Sequence, residues 1–106
     1  MKVFRSQKWT GGWFVGDFEP SAFKTSAFEV CHKQHPKGEK WPEHFHKIAT
    51  EINYVLSGTM TLKGETFGKG DVFVLEPNEI ANPEFLTDVE LIVIKTPSVQ
   101  NDKYQV

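Results

Sequence analysis

Short runs of β-forming residues, separated by tight turn signals, are the feature that most constrains how this chain can fold. The turn signals are Gly, Pro, Asn and Ser clusters at close intervals. Strands this short, with turns this close, predict an all-β sandwich or barrel. Apart from one helical turn near residues 20–23, no stretch has a clear 3.6-residue apolar period. The predicted strands cover residues 27–33, 43–46, 51–56, 59–63, 71–75 and 89–95.

The length of 106 residues fits one domain, 1–106, with N-terminal strands or an arm over about 1–26 and a core over about 27–97. Both faces of 52–56 and 89–94 are largely apolar, so one face is expected to fill a barrel and the other to pack elsewhere. The N-terminal aromatic residues add apolar surface that we expect in the core or at an interface. The excess predicts a homodimer formed through an outer sheet face. These aromatic residues are Trp9, Trp13, Phe14, Phe18 and Phe23.

Charge and cysteine content limit the classes of partner. The formal net charge is -2 without a basic stripe, so we expect no nucleic-acid partner. Arg5 is the only arginine among 12 basic residues, which disfavours a site for nucleotide diphosphates. Cys31 is the only cysteine, which excludes an intrachain disulfide and a thiolate cluster. No apolar run resembles a signal peptide or a membrane span, so we expect a cytoplasmic protein with no membrane partner. The expected partner is a small-molecule substrate or ligand.

The segment His44-Phe45-His46 carries the strongest chemical signal. In an extended strand, side chains two residues apart point to the same face, roughly 6.6 Å apart along the chain. Glu51 begins the next predicted strand, and residues 47–50 form the connecting turn. Two imidazoles and one carboxylate can therefore converge on a single cation.

This donor set indicates a reactive rather than a structural metal site. Imidazole suits Fe, Mn, Ni and Zn, and the added carboxylate favours the harder or borderline ions. A structural zinc site would close its shell with four protein ligands, usually including cysteine. Two histidines and one carboxylate leave positions open for water or substrate. His44, His46 and Glu51 are thus predicted ligands of a divalent transition metal whose identity stays open among these ions.

The spacing around these residues resembles a known motif. Gly38-x5-His44-x-His46-x4-Glu51-x6-Gly58 matches the first cupin motif at every position. The later run from Gly70-Asp71 to Pro77-Asn78 resembles the start of the second cupin motif. The chain is therefore identified as resembling the cupin superfamily over about residues 38–97. The resemblance implies an RmlC-like jelly-roll β-barrel.

The second motif of cupins normally supplies one further histidine ligand, and Ala81 stands at that position here. The resemblance therefore implies a reduced ligand set. Further candidates for a ligand or pocket residue are His32, Glu79, Asn82 and the nearby Glu84. His32 and His35 lie on opposite faces of one predicted strand, so at most one faces the barrel interior.

Alternation along the strand that begins at Glu51 directs Asn53 to the same face and Tyr54 to the other. Asn53 is therefore a candidate either to support Glu51 or contact a substrate, or to make an ordinary hydrogen bond within the sheet. An unpaired carboxylate at this position would be costly to bury, so Glu51 needs a cation or a hydrogen-bond donor. Cys31 is expected to be a small buried apolar residue rather than a reactive thiol.

Three functions are compatible with these residues. The first is a metal-dependent enzyme that acts on a small polar organic molecule. The second, implied by the cupin resemblance, is a metal-free sugar isomerase or epimerase in which barrel histidines and a tyrosine act as acid and base. The third is a non-catalytic barrel that binds a ligand or a metal. Fold alone does not choose among them.

Overall fold

The computed structural model describes residues 1–106 and is almost entirely β-structure, as predicted. The only helical segment is one 3-10 turn, Thr10–Gly12, and no helix is long and apolar enough to cross a membrane. The strands are β1 (Trp13–Val15), β2 (Glu29–His35), β3 (His44–Phe45), β4 (Thr50–Ser57), β5 (Met60–Leu62), β6 (Glu65–Phe67), β7 (Val72–Leu75), β8 (Glu84–Phe85), β9 (Val89–Thr96) and β10 (Tyr104–Gln105).

The strands form two principal sheets and one small ladder. Five strands pair in the order β1-β2-β9-β4-β7, and three pair in the order β6-β5-β8. Strand β3 pairs with β10 near the chain end. All of these pairs are antiparallel. Side chains from both principal sheets line one cavity, so the sheets face each other as the two layers of a jelly roll.

Strand β9 shows how the core is filled. Val89, Leu91 and Val93 are buried, and the residues between them are less so, because successive side chains of a strand point to opposite faces. They pack with residues from β2, β4, β5 and β8 in one apolar cluster. Its buried members are Cys31, Val55, Met60, Phe85, Val89, Leu91 and Val93. A smaller cluster contains Leu62, Leu75 and Ala81.

Gly58, the last residue of the first motif, is required by backbone geometry. Its φ is +89°, and a Cβ there would lie 2.1 Å from the carbonyl oxygen of Asp88. Any other residue would force the turn after β4 away from the loop before β9. The motif glycine therefore has a structural role at the end of the strand that presents Glu51.

The helical turn expected near residues 20–23 does not form. Ser21 Oγ accepts a hydrogen bond from the Gly16 N–H and donates one to the Phe23 carbonyl. Such local side-chain bonds compete with the helical pattern. Phe23 instead makes an isolated parallel bridge with Val15.

The ends of the chain contribute more to the sheets than the division into arm and core suggested. Strand β1 joins the five-stranded sheet, and β10 pairs with β3. Strand β1 lies in the N-terminal region where strands were expected without stated bounds, whereas β6, β8 and β10 were not predicted. Each is only two or three residues long, too short for an alternation pattern to be recognised.

Candidate functional site

The two sheets enclose a cavity of about 200 Å³. His44, His46 and Glu51 line it together, so the structure brings the three predicted ligands into one chamber. Both imidazoles are buried, and their rings lie edge-on with centroids 5.8 Å apart. Most of the other lining residues are apolar, and three lysines contribute much of the polar part of the wall.

Backbone carbonyls fix the orientation of both histidine rings. His44 Nδ1 lies 3.1 Å from the carbonyl oxygen of Pro42, and His46 Nδ1 lies 2.8 Å from that of Asp102. A carbonyl can only accept, so the hydrogen of each neutral ring belongs on Nδ1. Each Nε2 is then left with its lone pair available. Metal-ligating histidines are commonly held in this way.

Glu51 is positioned by its neighbour on the same strand face. Asn53 Nδ2 donates a 3.0 Å hydrogen bond to Glu51 Oε2, and Tyr54 is 45% exposed on the opposite face. The predicted directions of Asn53 and Tyr54 are therefore confirmed. Glu51 Oε1 lies 3.6 Å from His46 Nε2, too far for a hydrogen bond.

The three predicted ligands are not assembled around one point. No group of three or more His, Cys, Asp or Glu side chains has the spacing to hold a metal ion. Binding a shared ion through His44, His46 and Glu51 therefore requires a change of side-chain position. The chemistry of the donors suits a divalent cation, but in their present positions they do not form a single ligand set.

Burial keeps His46 neutral. It lowers the pKa of the imidazole below 6.5, and the ammonium group of Lys95 lowers it further. The Glu51 carboxylate and the Asp102 carbonyl act in the opposite direction without offsetting the change. The neutral ring leaves a lone pair on Nε2 at physiological pH.

Asp102 is a positioning residue that the sequence analysis missed. Its buried carboxylate accepts backbone hydrogen bonds from Lys47, Ile48 and Ala49, at 2.9–3.2 Å. Burial acts to raise the pKa of Asp102, but these three amides more than offset it and leave the pKa below its ordinary value. Asp102 thus organises the turn between β3 and β4 and also holds His46. It lies 56 residues from His46, too distant for any sequence spacing to indicate.

Four of the further candidates do not line the cavity, which corrects those expectations. His32 lies on the outer face of β2, where Nε2 is 2.8 Å from Glu90 Oε2. Glu79 accepts a 2.9 Å bond from Lys63 Nζ at the surface. Asn82 Oδ1 accepts the Lys63 backbone N–H. Glu84 on β8 is exposed as well. His32, Glu79 and Asn82 each have a local partner that directs the side chain away from the cavity.

His35, rather than His32, is the histidine of β2 that faces inward. Its ring stacks on Phe85 at a centroid distance of 4.2 Å, and Nδ1 contacts Glu39 Oε2. Trp41 Nε1 donates a 2.8 Å hydrogen bond to the same oxygen, and this bond is the largest cause of the lowered pKa of Glu39. Cys31 and His35 are four residues apart and therefore share one face of the strand. The expected burial of Cys31 was the available signal that His35 faces inward.

An N-terminal aromatic residue also reaches the cavity. Trp13 was expected in the core or at an interface, but it lines the chamber. The ammonium groups of Lys33 and Lys95 lie 5.8 and 5.1 Å from its ring centroid. Lys103 Nζ lies 3.9 Å from the ring centroid of Trp41, and both residues line the same cavity.

Solved structures with the same architecture decide the fold. An RmlC-like cupin with a double-stranded β-helix fold from Methanocaldococcus jannaschii has a TM-score of 0.63 and 21% identity, over 70% of this chain and 73% of that one. The chain has the cupin fold. The DMSP lyase DddQ from Ruegeria pomeroyi has a TM-score of 0.72 and 17% identity over 87% of this chain. Pac13, a nucleoside dehydratase from Streptomyces, has a TM-score of 0.64 and 22% identity, over 77% of this chain and 70% of that one.

The alignment with DddQ covers only 48% of that protein, so this chain corresponds to about half of it. All three identities are low and show the shared fold alone. The sequence matches no protein-family model and no curated protein.

Within this cupin fold, Ala81 lies directly opposite His44. The two residues form an isolated antiparallel bridge, and the methyl group of Ala81 is buried at the cavity wall. The position at which cupins resembling this chain carry another histidine therefore borders the site, with a side chain that cannot bind a metal.

Proposed function

We propose that this cupin binds a divalent transition metal (Fe, Mn, Ni or Zn) through His44, His46 and Glu51, and acts enzymatically on a small polar organic molecule in the cavity. The observation that carries the proposal is the pair of backbone carbonyls at His44 and His46. They assign the hydrogen to Nδ1 in both rings, so each Nε2 keeps a lone pair that can bind a metal ion.

A metal held by these residues would supply Lewis-acid or oxygen-activating chemistry. The chain itself contributes orientation and exclusion of water. Asn53 holds one oxygen of Glu51, so the other oxygen stays directed toward His46. The apolar wall, which includes Phe73, Phe85 and Leu91, limits the water that competes for a bound molecule.

The structural neighbours support an enzyme over an inert barrel. Two of them are a lyase and a dehydratase by name. Fold likeness at this identity transfers neither substrate nor mechanism. It supports only the coarser proposal that this cavity performs chemistry on a small molecule.

Metal content tests the proposal. The full chain, purified without chelator or nickel affinity resin, is measured by elemental mass spectrometry beside a His44→Ala/His46→Ala variant and a His32→Ala control. We expect near-stoichiometric metal in the parent and the control, and its loss in the double variant. Absence of metal from the parent after incubation with Fe(II), Mn(II), Ni(II) and Zn(II) would overturn the metal assignment.

A second candidate function is supported by the His35–Glu39 pair. A carboxylate on Nδ1 leaves His35 Nε2 available as a general base without any metal. No tyrosine assists, because Tyr54 faces outward and Tyr104 stacks on Phe45 outside the cavity. In this function His35 takes a proton from a carbon next to a sugar carbonyl and returns it.

Isotope exchange distinguishes this second candidate. A panel of free aldoses and ketoses is incubated in deuterium oxide with chelator-treated protein, and carbon-bound deuterium is followed by proton NMR. Exchange that is lost in His35→Gln but retained in His32→Gln supports metal-free acid–base chemistry. Absence of exchange across the panel, or its survival in His35→Gln, counts against this role for His35.

We also propose a homodimer and a cytoplasmic location. The outer face of the five-stranded sheet supports the dimer, because it exposes Tyr54 beside Val72 and leaves Val74 45% exposed. A large apolar patch on one sheet face is typical of an interaction surface. The location is supported by Cys31, a free thiol of the kind that a reducing compartment preserves.

A further inference from the structure

Three lysines and one carboxylate make the cavity wall cationic. Lys33 comes from β2, Lys95 from β9 and Lys103 from the segment before β10, and all three line the chamber. Glu51 is the only acidic residue among the lining side chains. The charge balance of this wall therefore differs from that of the whole chain, which is slightly acidic.

Two of the three ammonium groups lack a carboxylate partner. Lys95 Nζ is 3.4 Å from Glu29 Oε1. Lys33 and Lys103 have no carboxylate oxygen within 4.0 Å, and Lys33 Nζ donates to the Gly11 carbonyl at 2.7 Å. Lys103 Nζ has no hydrogen-bond acceptor in the fold and rests on the ring of Trp41.

Lys103 is the most informative of the three. Burial lowers its pKa, and the ammonium groups of Lys95 and Lys33 lower it further, against the opposing effect of Glu51. Although Lys103 is exposed overall, its ammonium group lies against Trp41 with two like charges nearby, an arrangement that a bound anion would relieve.

We propose that Lys33, Lys95 and Lys103 form a subsite for the acidic head group of a small organic molecule, a carboxylate or a phosphate. The subsite deepens the proposed function by naming its substrate class, and it rests on that function for its catalytic meaning. Anion binding by the lysines themselves requires no metal, so the two proposals can fail separately.

The chemistry of lysine favours a single acidic group. An ammonium binds as a point charge, whereas a diphosphate is usually gripped by the planar fork of arginine. The only arginine, Arg5, does not line the cavity. The rings of Trp13 and Trp41, beneath the lysines, provide apolar surface for the carbon part of the molecule.

Two tryptophan indoles make the test direct. Trp13 and Trp41 line the cavity and Trp9 does not, so the indole N–H signals of 15N-labelled protein report binding with an internal control. The probes are glycolate, inorganic phosphate and ethylene glycol, the neutral counterpart of glycolate. Each is titrated into the full chain with and without prior chelator treatment.

We expect glycolate, phosphate or both to shift the Trp13 and Trp41 signals saturably in chelator-treated protein, while ethylene glycol does not. The more effective anion identifies the head group. Lys103→Gln should weaken this binding at least fivefold. Lys69→Gln, which removes the same charge from an exposed position, should leave it unchanged. A Lys33→Gln variant repeats the comparison on a second lysine.

Three outcomes would overturn the subsite. The first is no saturable shift with either anion. The second is equal weakening by Lys69→Gln and Lys103→Gln, which would indicate only the general charge of the protein. The third is binding that needs added metal and is unaffected by Lys103→Gln, which would place the anion on the metal and leave the metal proposal standing.

Discussion

His44 and Ala81 face each other across an antiparallel bridge and exchange both backbone hydrogen bonds, at 3.2 and 2.8 Å. This relationship places a methyl group directly beside a predicted metal ligand. It also explains how the site can be built like that of a cupin while its ligand set is one side chain short.

Restoring a donor at this position should strengthen metal binding. Ala81→His adds an imidazole beside His44, and we expect metal affinity to rise about tenfold or more, equivalent to ~1.4 kcal/mol of binding free energy. Competition with a chromophoric chelator measures the change. Ala81→Leu, which adds bulk without a donor, is the matched control. Equal affinities for the two variants would refute the role assigned to this position.

Asp102 should be a main determinant of local stability. Asp102→Ala leaves three backbone amides without an acceptor, one of them buried and two part-buried, and should lower the free energy of unfolding by about 2–4 kcal/mol. Urea denaturation measures the loss. Asp17→Ala, at an exposed aspartate, should change stability far less. The prediction fails if both variants unfold at the same urea concentration.

The apolar outer face of the five-stranded sheet should hold two copies together. We expect light scattering after size-exclusion chromatography to give twice the 12.1 kDa chain mass. Val72→Lys/Val74→Lys places charge on this face and should yield monomers that retain the native circular dichroism spectrum. Thr66→Lys, on the other sheet, should remain dimeric. A monomeric parent, or a double variant that remains dimeric, would contradict the proposed interface.

Cys31 should be unreactive in the folded protein. Its side chain is fully buried, and burial raises the pKa of the thiol from 9.0 to about 11. Iodoacetamide at about pH 8 should label it only after unfolding, because the thiolate is the nucleophile.

The raised pKa of Cys31 also predicts a pH dependence of stability. As pH rises above 9.0, the thiol ionises in the unfolded chain before it ionises in the folded protein, so the free energy of unfolding should fall. Cys31→Ala should remove this part of the pH dependence, and rapid labelling of the native protein would argue against burial.

Much of the candidate site could be predicted from the sequence because it depends on local geometry. His44 and His46 are two residues apart, and so are Glu51 and Asn53, so a strand places each pair on one face. The match to the first cupin motif then indicated that the two pairs belong to one site. Asn53 contacts Glu51 as expected, while Tyr54 is directed outward.

Alternation along a strand separates two faces without saying which is inward, and that choice belongs to the tertiary structure. On β2, pairing with β9 sets Cys31 opposite Val93 and Lys33 opposite Leu91. This register buries His35 and turns His32 outward, against the candidate named from the sequence.

The sequence by itself determined the all-β character, the turns and the grouping of His44, His46 and Glu51, because these depend on residue type and short spacings. Only the tertiary structure decided that Asp102 holds the β3–β4 turn and that Lys103 lies over Trp41 in the cavity. Both contacts join segments far apart in the chain. Their energies arise from burial and from the partners that burial provides, and no local sequence pattern indicates either.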